Sequence, residues 1–357
     1  MYKNSELELN KLLNRMLEID ASDLHLLVGK PPIYRVHTQL TEHPDNTALT
    51  PEHIESLCQV LVPQPRRERL ERQRQVDFSY SFKDANRLRV NVYYQRNSLA
   101  VAIRLISNKI RTLEELNLPE TLTGLTNLKQ GLVLVVGPTG HGKSTALAAM
   151  VDSINKSRAE HILTIEDPVE YVFTQKKSII SQREVLSDTV SFASALTSAL
   201  REDPNVVMVG EMRDIDSMAT TLTIAETGHL VFATLHTNDA AQTIDRIVDV
   251  FPPHQQPQIK SQLASVLIAI VSLRLLPRVG GGLVPASEIL LADAAVRNVI
   301  RESRTFELYN IIHSSGSKGM VSLDRYLAEM VKKNMVTYEH AMRYAHDDEL
   351  FNSLVSR

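Results

Sequence analysis

Apolar residues in the first third of the chain alternate between helical and strand periods. Leu9, Leu12, Leu13 and Leu17 fall on one helical face, and residues 5–8 (Ser-Glu-Leu-Glu) have the form of a capping box. The period-two pattern that is typical of strands occurs at residues 23–28, 33–36, 76–82, 87–94 and 99–106. One or two helices with a charged outer face are predicted over residues 51–73. This mixture predicts a small α+β domain.

The rest of the chain alternates strand-like and helix-like segments. Strands are predicted to end near Val136, Ile165, Val209 and Thr234, and helices to follow Lys143, Asp188 and Asp214. An amphipathic helical face is formed by Phe192, Ala195, Leu196, Ala199 and Leu200. This alternation is typical of an α/β domain with a mostly parallel sheet, whose ligand binds at the carboxyl ends of the strands.

The last hundred residues predict a mainly helical region. From about residue 262 onward we expect helices, including one capped by Ser322. The inward face of that helix is predicted to consist of Leu323, Tyr326, Leu327, Met330 and Val331.

Composition narrows the class of protein. A chain of 357 residues predicts two domains, and a net charge of −3 argues against a protein that wraps nucleic acid. A single cysteine, Cys58, excludes an internal disulfide and a cysteine-rich zinc site, and we expect it to be a buried apolar residue in a reducing compartment. The apolar run at 263–276 is too short and polar for a membrane span, and no signal peptide is recognisable. These features indicate a soluble cytoplasmic protein.

Residues 137–144 (Gly-Pro-Thr-Gly-His-Gly-Lys-Ser) form the most informative segment. They match the pattern G-x-x-x-x-G-K-[ST], between a β-branched apolar run and a helix-forming run. Glycines at such positions let backbone N–H groups point at anionic oxygens, and the following helix adds the positive end of its dipole. We expect Lys143 to reach the β- and γ-phosphates and Ser144 to ligate Mg²⁺. The predicted phosphate-binding residues are Gly137, Pro138, Thr139, Gly140, His141, Gly142, Lys143, Ser144 and Thr145.

Acidic residues follow two of the predicted strands. Glu166, Asp167 and Glu170 come at or after one strand, and Glu211 follows another after the small residue Gly210. If the strands are parallel, these carboxylates reach the same edge as the phosphate loop. There, one carboxylate can activate a water and another can help to hold Mg²⁺. The alternative is that these acids cap turns or lie in solvent.

Two histidines bracket the strand predicted over residues 230–234. His229 and His236 could each sense a γ-phosphate, and the alternative for either is a structural histidine bonded to neighbouring backbone. No spacing of histidine, cysteine and acidic residues resembles a zinc site.

In the strand at 87–93, Leu88, Val90 and Val92 alternate with Arg87 and Arg89. Two arginines on one sheet face form either a solvated surface or an anion-binding surface. The residues by themselves favour the solvated surface.

Several motifs together resemble PilT-like type IV pilus retraction ATPases, within the larger group of secretion ATPases. Residues 21–25 resemble an early N-domain motif and residues 162–170 an Asp box. Residues 200–204 lead into residues 209–214, which resemble an atypical Walker B. Residues 225–237 resemble a His box, and 295–302 resemble the C-terminal motif of retraction motors. Assembly and type II secretion relatives usually carry a four-cysteine zinc insertion, which a chain with one cysteine cannot build.

The resemblance implies a fold and site roles. A PAS-like N-terminal domain (residues 1–107), a linker (108–115) and a RecA-like P-loop ATPase domain with a helical C-terminal part (116–357) are expected. ATP and Mg²⁺ are the implied cofactors. Glu170 is implied to activate water, Glu211 to lie near the metal, and His229 and His236 to sense the γ-phosphate. The resemblance also implies that the arginines form an anion-binding surface and not a solvated one. Arg87, Arg89 and Arg104 match positions that approach a nucleotide, which in some ring states is bound by a neighbouring subunit.

The resemblance further implies a hexameric motor for pilus retraction and twitching motility. Its expected partners are five further copies, an inner-membrane platform protein of the pilus, and in some systems a paralogous retraction ATPase; neither nucleic acid nor zinc is expected. The protein would be cytoplasmic and peripherally associated with the inner membrane. Alternatives are a pilus-assembly or type II secretion ATPase, or a weakly hydrolysing, nucleotide-gated accessory subunit.

The chain departs from the family at a few positions. His141 replaces a small residue, commonly Ser, and we expect a modest effect on nucleotide affinity. Residues 238–242 after the His box and the tail beyond His346 also differ.

Overall fold

A computed structural model describes residues 2–36, 39–43, 47–83, 86–106 and 109–356. The chain divides into two compact units. The first comprises Met1–Lys109 with Pro168–Val172, and the second comprises Ile110–Asp167 with Phe173–Arg357. The segment 168–172, which the sequence places in the second domain, therefore clusters with the first unit. Residues 107 and 108, at the predicted linker, lie outside the described residues.

The first unit is built on a six-stranded antiparallel sheet in the order β3-β2-β1-β6-β5-β4. Its strands are β1 (Asp23–Leu26), β2 (Ile33–Val36), β3 (Gln39–Glu42), β4 (Gln75–Phe82), β5 (Asn86–Gln95) and β6 (Ser98–Ile106). Its helices are α1 (Tyr2–Glu18), α2 (Pro51–Leu61) and α3 (Gln64–Gln73). One sheet face is apolar and shares a core with α1 and α2. This confirms the predicted small α+β domain of PAS-like type.

Buried side chains explain why these elements form. Leu88, Val90 and Val92 alternate with less buried residues along β5, as the sequence predicts. Cys58 lies in α2 and is 4% exposed, which confirms that it is a buried apolar residue. The apolar stripe of α1 includes Leu9 and Leu13, each 1% exposed. Burial of these residues stabilises the unit because apolar area leaves water.

Two predictions for this unit are wrong in detail. The capping box at residues 5–8 fails because α1 begins at Tyr2, so Ser5 lies inside the helix. The sequence also missed β3, whose four residues are all exposed and therefore carry no apolar alternation.

The second unit is built on a seven-stranded sheet in the order β13-β12-β7-β11-β10-β8-β9. All neighbouring strands are parallel except β12 and β13, which are antiparallel. The strands are β7 (Gly131–Val136), β8 (His161–Glu166), β9 (Ile179–Glu184), β10 (Val206–Val209), β11 (Leu230–Leu235), β12 (Leu267–Pro277) and β13 (Leu283–Leu291). Every residue of β7, β10 and β11 is buried, as expected of central parallel strands. The α/β prediction is confirmed.

Helices connect and follow these strands. They are α4 (Thr121–Thr126), α5 (Lys143–Ser157), α6 (Phe192–Ala199), α7 (Ile215–Glu226), α8 (Ala240–Asp249), α9 (Gln256–Val266), α10 (Ala294–Arg301), α11 (Leu308–Ser314), α12 (Leu323–Lys332), α13 (Tyr338–Met342) and α14 (Asp348–Ser356). Asp214 caps α7, as predicted, and its side chain accepts a hydrogen bond from the N–H of Ser217. α6 is capped by Ser191 and not by Asp188. Leu200, predicted on its inward face, is 44% exposed.

The expectation of a mainly helical chain from residue 262 is wrong for residues 267–291. The apolar run there forms β12, which lies beside β7 and continues into the hairpin with β13. A strand buried on both faces has the same uniform apolar pattern as a buried helix, so periodicity could not separate the two. The helical C-terminal part begins at α10. Ser322 stands at the N-cap position of α12, although its side chain makes no capping bond, and Leu327 and Met330 of that helix are buried.

Candidate functional site

The phosphate loop turns between the end of β7 and the start of α5. Gly137, Gly140 and Gly142 have φ of +143°, +80° and +85°, in the region that favours glycine. A Cβ atom on Gly137 would lie 2.5 Å from the carbonyl oxygen of Leu273 on β12. Only glycine therefore fits at the start of this loop.

Helix α5 starts at Lys143, with Gly142 as its N-cap residue. Because Gly142 has no side chain, it cannot accept hydrogen bonds from the backbone N–H groups of the first helical turn, which have no partner within the helix. Pro138, Thr139 and His141 complete the loop before the helix, and Ser144 and Thr145 lie in the first turn. A loop of glycines at the N-terminus of a 15-residue helix fits a nucleotide phosphate.

The Lys143 side chain folds into the loop. Its Nζ atom donates to the carbonyl oxygens of Gly137 at 2.7 Å and Pro138 at 3.0 Å, and the residue is 7% exposed. It also lies 3.2 Å from Nδ1 of His236, one residue beyond β11. Two carbonyl oxygens of the phosphate loop thus hold the ammonium group.

His236 connects Lys143 to Glu211. Its Nε2 lies 3.2 Å from Oε1 of Glu211, and its Nδ1 also lies 3.3 Å from the hydroxyl of Thr139. With the ring proton on Nε2, the imidazole donates to Glu211, and the one lone pair of Nδ1 is shared between Lys143 and Thr139. The structure therefore brings the predicted residues Lys143, His236 and Glu211 together.

Glu211 is also held by an arginine that the sequence analysis did not single out. Nε of Arg213 donates to Oε2 of Glu211 at 2.8 Å, and another guanidinium nitrogen lies 3.2 Å from Oδ2 of Asp167. The hydrogen bond to Glu211 and the two acidic charges raise the pKa of Arg213. The preceding Gly210 lies close to β8, because a Cβ there would be only 3.1 Å from the carbonyl oxygen of Ile165.

Ser144 and Glu211 supply the donor types that Mg²⁺ prefers, a hydroxyl and a carboxylate. Both follow strands whose carboxyl ends share one sheet edge. Within the ranges that the structure describes, no group of three or more His, Cys, Asp and Glu residues is arranged to hold a metal ion. The two residues fit a magnesium ion that is held mainly by nucleotide phosphates and water.

The acids after β8 have different surroundings. Glu166 is buried and accepts hydrogen bonds from the Thr164 hydroxyl at 2.7 Å and the Gln182 amide at 3.2 Å. Glu170 belongs to the segment that clusters with the first unit. Its role in activating water stays a prediction.

His229 is not brought to the phosphate loop. His229 precedes β11 and His236 follows it, so the two histidines lie at opposite ends of this strand. For a strand of six residues these ends are about 20 Å apart. Nδ1 of His229 lies 3.0 Å from the carbonyl oxygen of Ile224 and 3.1 Å from the hydroxyl of Thr227. These contacts agree with a structural histidine that is bonded to neighbouring backbone. They do not agree with a sensor of a γ-phosphate at the phosphate loop of the same chain.

The three predicted arginines lie on the first unit. Arg89 and Arg104 stand directly opposite each other on β5 and β6, on the sheet face away from the core. Arg89 pairs with Asp77 at 2.6 Å, Arg104 with Asp23 at 2.7 Å, and Arg87 donates to the hydroxyl of Ser81 at 3.1 Å. Sequence reasoning missed these partners, which come from other strands.

Asp23 is the most buried of these partners, at 5% exposed. Burial by itself would raise its pKa, but hydrogen bonds from Arg104 and Ser22 and the charge of Arg104 outweigh burial, so the pKa of Asp23 is lowered. Asp23 therefore stays ionised and fixes the direction of Arg104.

A cavity of about 220 Å³ lies in the second unit, at the start of α8. Its lining includes Ser272, Arg274, Asn238 and Glu288. Arg274 donates to the carbonyl oxygens of Asn238 at 2.8 Å and of Leu273 at 3.0 Å. Glu288, 4% exposed, accepts from the N–H of Ala240, and burial raises its pKa to about 7. The stretch after the His box that departs from the family thus contacts this cavity.

None of the helices in the described ranges has the length and apolar character that a membrane span requires.

Comparison with known proteins identifies the family. The model of the type II/IV secretion system protein family matches residues 4–341. A protein of Pseudomonas aeruginosa described as type IV pilus retractation ATPase PilT is 42% identical over 345 residues, 97% of this chain and 100% of that one. The type IV pilus ATPase PilU of the same organism is 40% identical, over 95% of this chain and 89% of its own. A crystal structure of the pilus retraction motor PilT with bound ADP aligns with a TM-score of 0.89 and 44% identity, over 96% of this chain and 98% of that chain. The chain therefore belongs to the type II/IV secretion system protein family and is a P-loop ATPase similar to the PilT retraction motors.

Proposed function

We propose that this protein hydrolyses ATP to drive retraction of a type IV pilus. The observation that carries the proposal is the chain of contacts from Lys143 through His236 to Glu211 beside the glycine loop. It joins the phosphate-binding residue to the residue expected near the metal. Full-length similarity to retraction motors supports the choice of pilus retraction.

The residues divide the work at the site. The loop and Lys143 bind the phosphates, while Ser144 and Glu211 hold Mg²⁺, which neutralises phosphate charge when bound. His236 orients Glu211 and lies near the γ-phosphate. Glu170 acts as the general base toward the attacking water.

Arginines of the first unit complete the site in the assembled motor. Arg87, Arg89 and Arg104 are proposed to supply positive charge to the nucleotide, in some states to that of a neighbouring subunit. Such arginines can contribute on the order of 10³–10⁵ in kcat. Asp77 and Asp23 would have to release or share Arg89 and Arg104 as this happens.

Motion follows from unequal affinity. If Lys143, His236 and the arginines bind ATP more tightly than ADP, ATP binding favours one conformation of the subunit and hydrolysis releases it. A homohexamer that fires in sequence would displace an inner-membrane platform protein, so that pilin subunits return to the membrane. The motor itself would be cytoplasmic and only peripherally attached to that membrane.

The test is ATP turnover by purified Lys143→Ala and Glu170→Gln proteins. Both should retain their fold and lose most turnover, because one lacks the phosphate-binding ammonium and the other the base. Turnover near that of the wild type in both would refute the site assignment.

A second candidate is an accessory motor ATPase that turns over ATP slowly. The chain is about as similar to the type IV pilus ATPase PilU as to the retraction ATPase PilT, 40% and 42%, so identity alone does not choose between two kinds of pilus ATPase. Turnover by the wild-type chain, alone and with the platform protein, separates the candidates. An accessory subunit would stay slow in both conditions.

A further inference from the structure

The side chain of His141 makes a bond that the phosphate-loop motif does not require. His141 lies between Gly140 and Gly142, both in the positive-φ region. Its Nδ1 accepts a hydrogen bond from the backbone N–H of Leu275 on β12, with 3.0 Å between the nitrogens. The middle of the loop is thereby tied to a neighbouring strand.

The sheet leaves this N–H within reach of the loop. The parallel ladder between β7 and β12 ends where Ser272 stands opposite Val136, because the chain then turns into the phosphate loop. β12 continues to Pro277, so Leu275 lies beyond the end of β7. The N–H of Leu275 is therefore not paired with β7 and donates to the imidazole of His141.

The ring is also held from the C-terminal part of the unit. Tyr344 meets it edge-on, with ring centroids 6.3 Å apart and an interplanar angle of 68°. Such edge-to-face contacts restrict ring orientation. Two elements distant in sequence, β12 and the segment after α13, therefore fix His141.

We propose that His141 is a positioning residue whose imidazole ties the phosphate loop to β12 and so pre-organises it for nucleotide phosphates. The inference rests on the proposed ATPase function. A loop with three positive-φ glycines has much conformational freedom to lose on binding, and a bond already made in the free protein lowers that cost. One such hydrogen bond corresponds to about a two- to tenfold change in affinity.

The bond requires an unprotonated Nδ1, so the ring proton lies on Nε2. The groups that face the ring are Arg274 on β12, Lys143 on α5 and the phenol of Tyr344. Burial, followed by the charges of Arg274 and Lys143, lowers the pKa of His141. The bond is therefore intact at neutral pH and is lost as the pH falls through that lowered pKa.

The experiment compares Mg-ADP dissociation constants of the full-length wild type, His141→Asn and His141→Phe from pH 8 to pH 5. The Asn side chain places Oδ1 near the position of Nδ1 and does not titrate, whereas Phe keeps a ring without an acceptor. At pH 8 we expect His141→Phe to bind ADP about two- to tenfold more weakly than the wild type, and His141→Asn to bind more tightly than His141→Phe. With falling pH the wild type should approach His141→Phe, while the ratio between the two variants stays constant. If Phe prevents folding, His141→Leu, whose side chain also lacks a hydrogen-bond acceptor, takes its place.

Steady-state kinetics in the same preparations should show the loss mainly in KM, because kcat is measured with the loop already occupied. Equal ADP affinity of His141→Phe and wild type at pH 8 would overturn the proposal. So would an Asn variant that binds no better than the Phe variant. ATP turnover by the wild type tests the proposed function separately, since ADP affinities can be compared in a protein that does not hydrolyse ATP.

Discussion

The Nζ atom of Lys143 lies 3.2 Å from Nδ1 of His236, and the other ring nitrogen of His236 lies 3.2 Å from Glu211. One imidazole thus links the lysine of the phosphate loop to the acid that follows β10. If His236 fixes this geometry, its loss should displace Glu211 by a small distance. Displacements of about 1 Å can cost on the order of 10²-fold in rate.

We therefore expect His236→Ala to lower kcat for ATP by about 10²-fold while the protein stays folded. His229→Ala is the matched comparison, because His229 directly precedes β11 and His236 directly follows it. The His229→Ala change should lower kcat clearly less than His236→Ala does. Equal losses in kcat for the two variants would show that position at the loop does not matter.

A second prediction concerns Gly137 and Gly140. Gly137→Ala should abolish nucleotide binding and lower the melting temperature, because the new Cβ would lie 2.5 Å from a β12 carbonyl oxygen. Gly140→Ala meets no atom within 4 Å and adds only backbone strain, about 1–3 kcal/mol. Thermal unfolding and ADP titration of both variants check this order. A Gly140 variant that melts as low as the Gly137 variant would contradict it.

The buried carboxyl of Glu288 predicts a pH-dependent stability. Its pKa rises from 4.5 to about 7 in the folded protein, mainly through burial. The folded state then binds more protons than the unfolded state between these values, so Glu288 lowers stability progressively as the pH rises through this window.

Glu288→Gln removes that dependence. Its free energy of unfolding, relative to the wild type, should rise by on the order of 2–3 kcal/mol between pH 5 and pH 8. Denaturant unfolding at the two pH values measures this difference, with Glu349→Gln, at an exposed position of α14, as the control. A difference that does not change with pH would contradict the raised pKa of Glu288.

Cys58 should be inert in the folded protein. Burial raises the pKa of its thiol to about 12, so almost no thiolate exists at pH 8. A thiol-reactive chromophore should label it slowly in buffer and rapidly in guanidinium chloride. Fast labelling of the folded protein would mean that α2 opens readily.

The sequence predicted those features that depend on local pattern. The glycine loop and the strands ending near Val136 and Val209 are each visible within about ten residues, because loop, strand and helix signals are short-range. Parallel pairing then brought Lys143, His236 and Glu211 together, as the predicted topology required.

Local sequence patterns do not indicate which residues far apart in the chain contact each other. Arg213 holds both Glu211 and Asp167, and Leu275 donates to His141 across 134 positions. No periodic pattern in the sequence indicates either contact. Strands β12 and β13 were predicted as helix because uniform burial removes the alternation that marks a strand.

The most direct test of the account is a count of surface pili in a strain that lacks this gene, complemented with the wild type or with Lys143→Ala. The account predicts excess pili in the deletion strain, normal numbers with the wild-type gene, and continued excess with Lys143→Ala. A deletion strain without surface pili would contradict retraction and indicate pilus assembly instead.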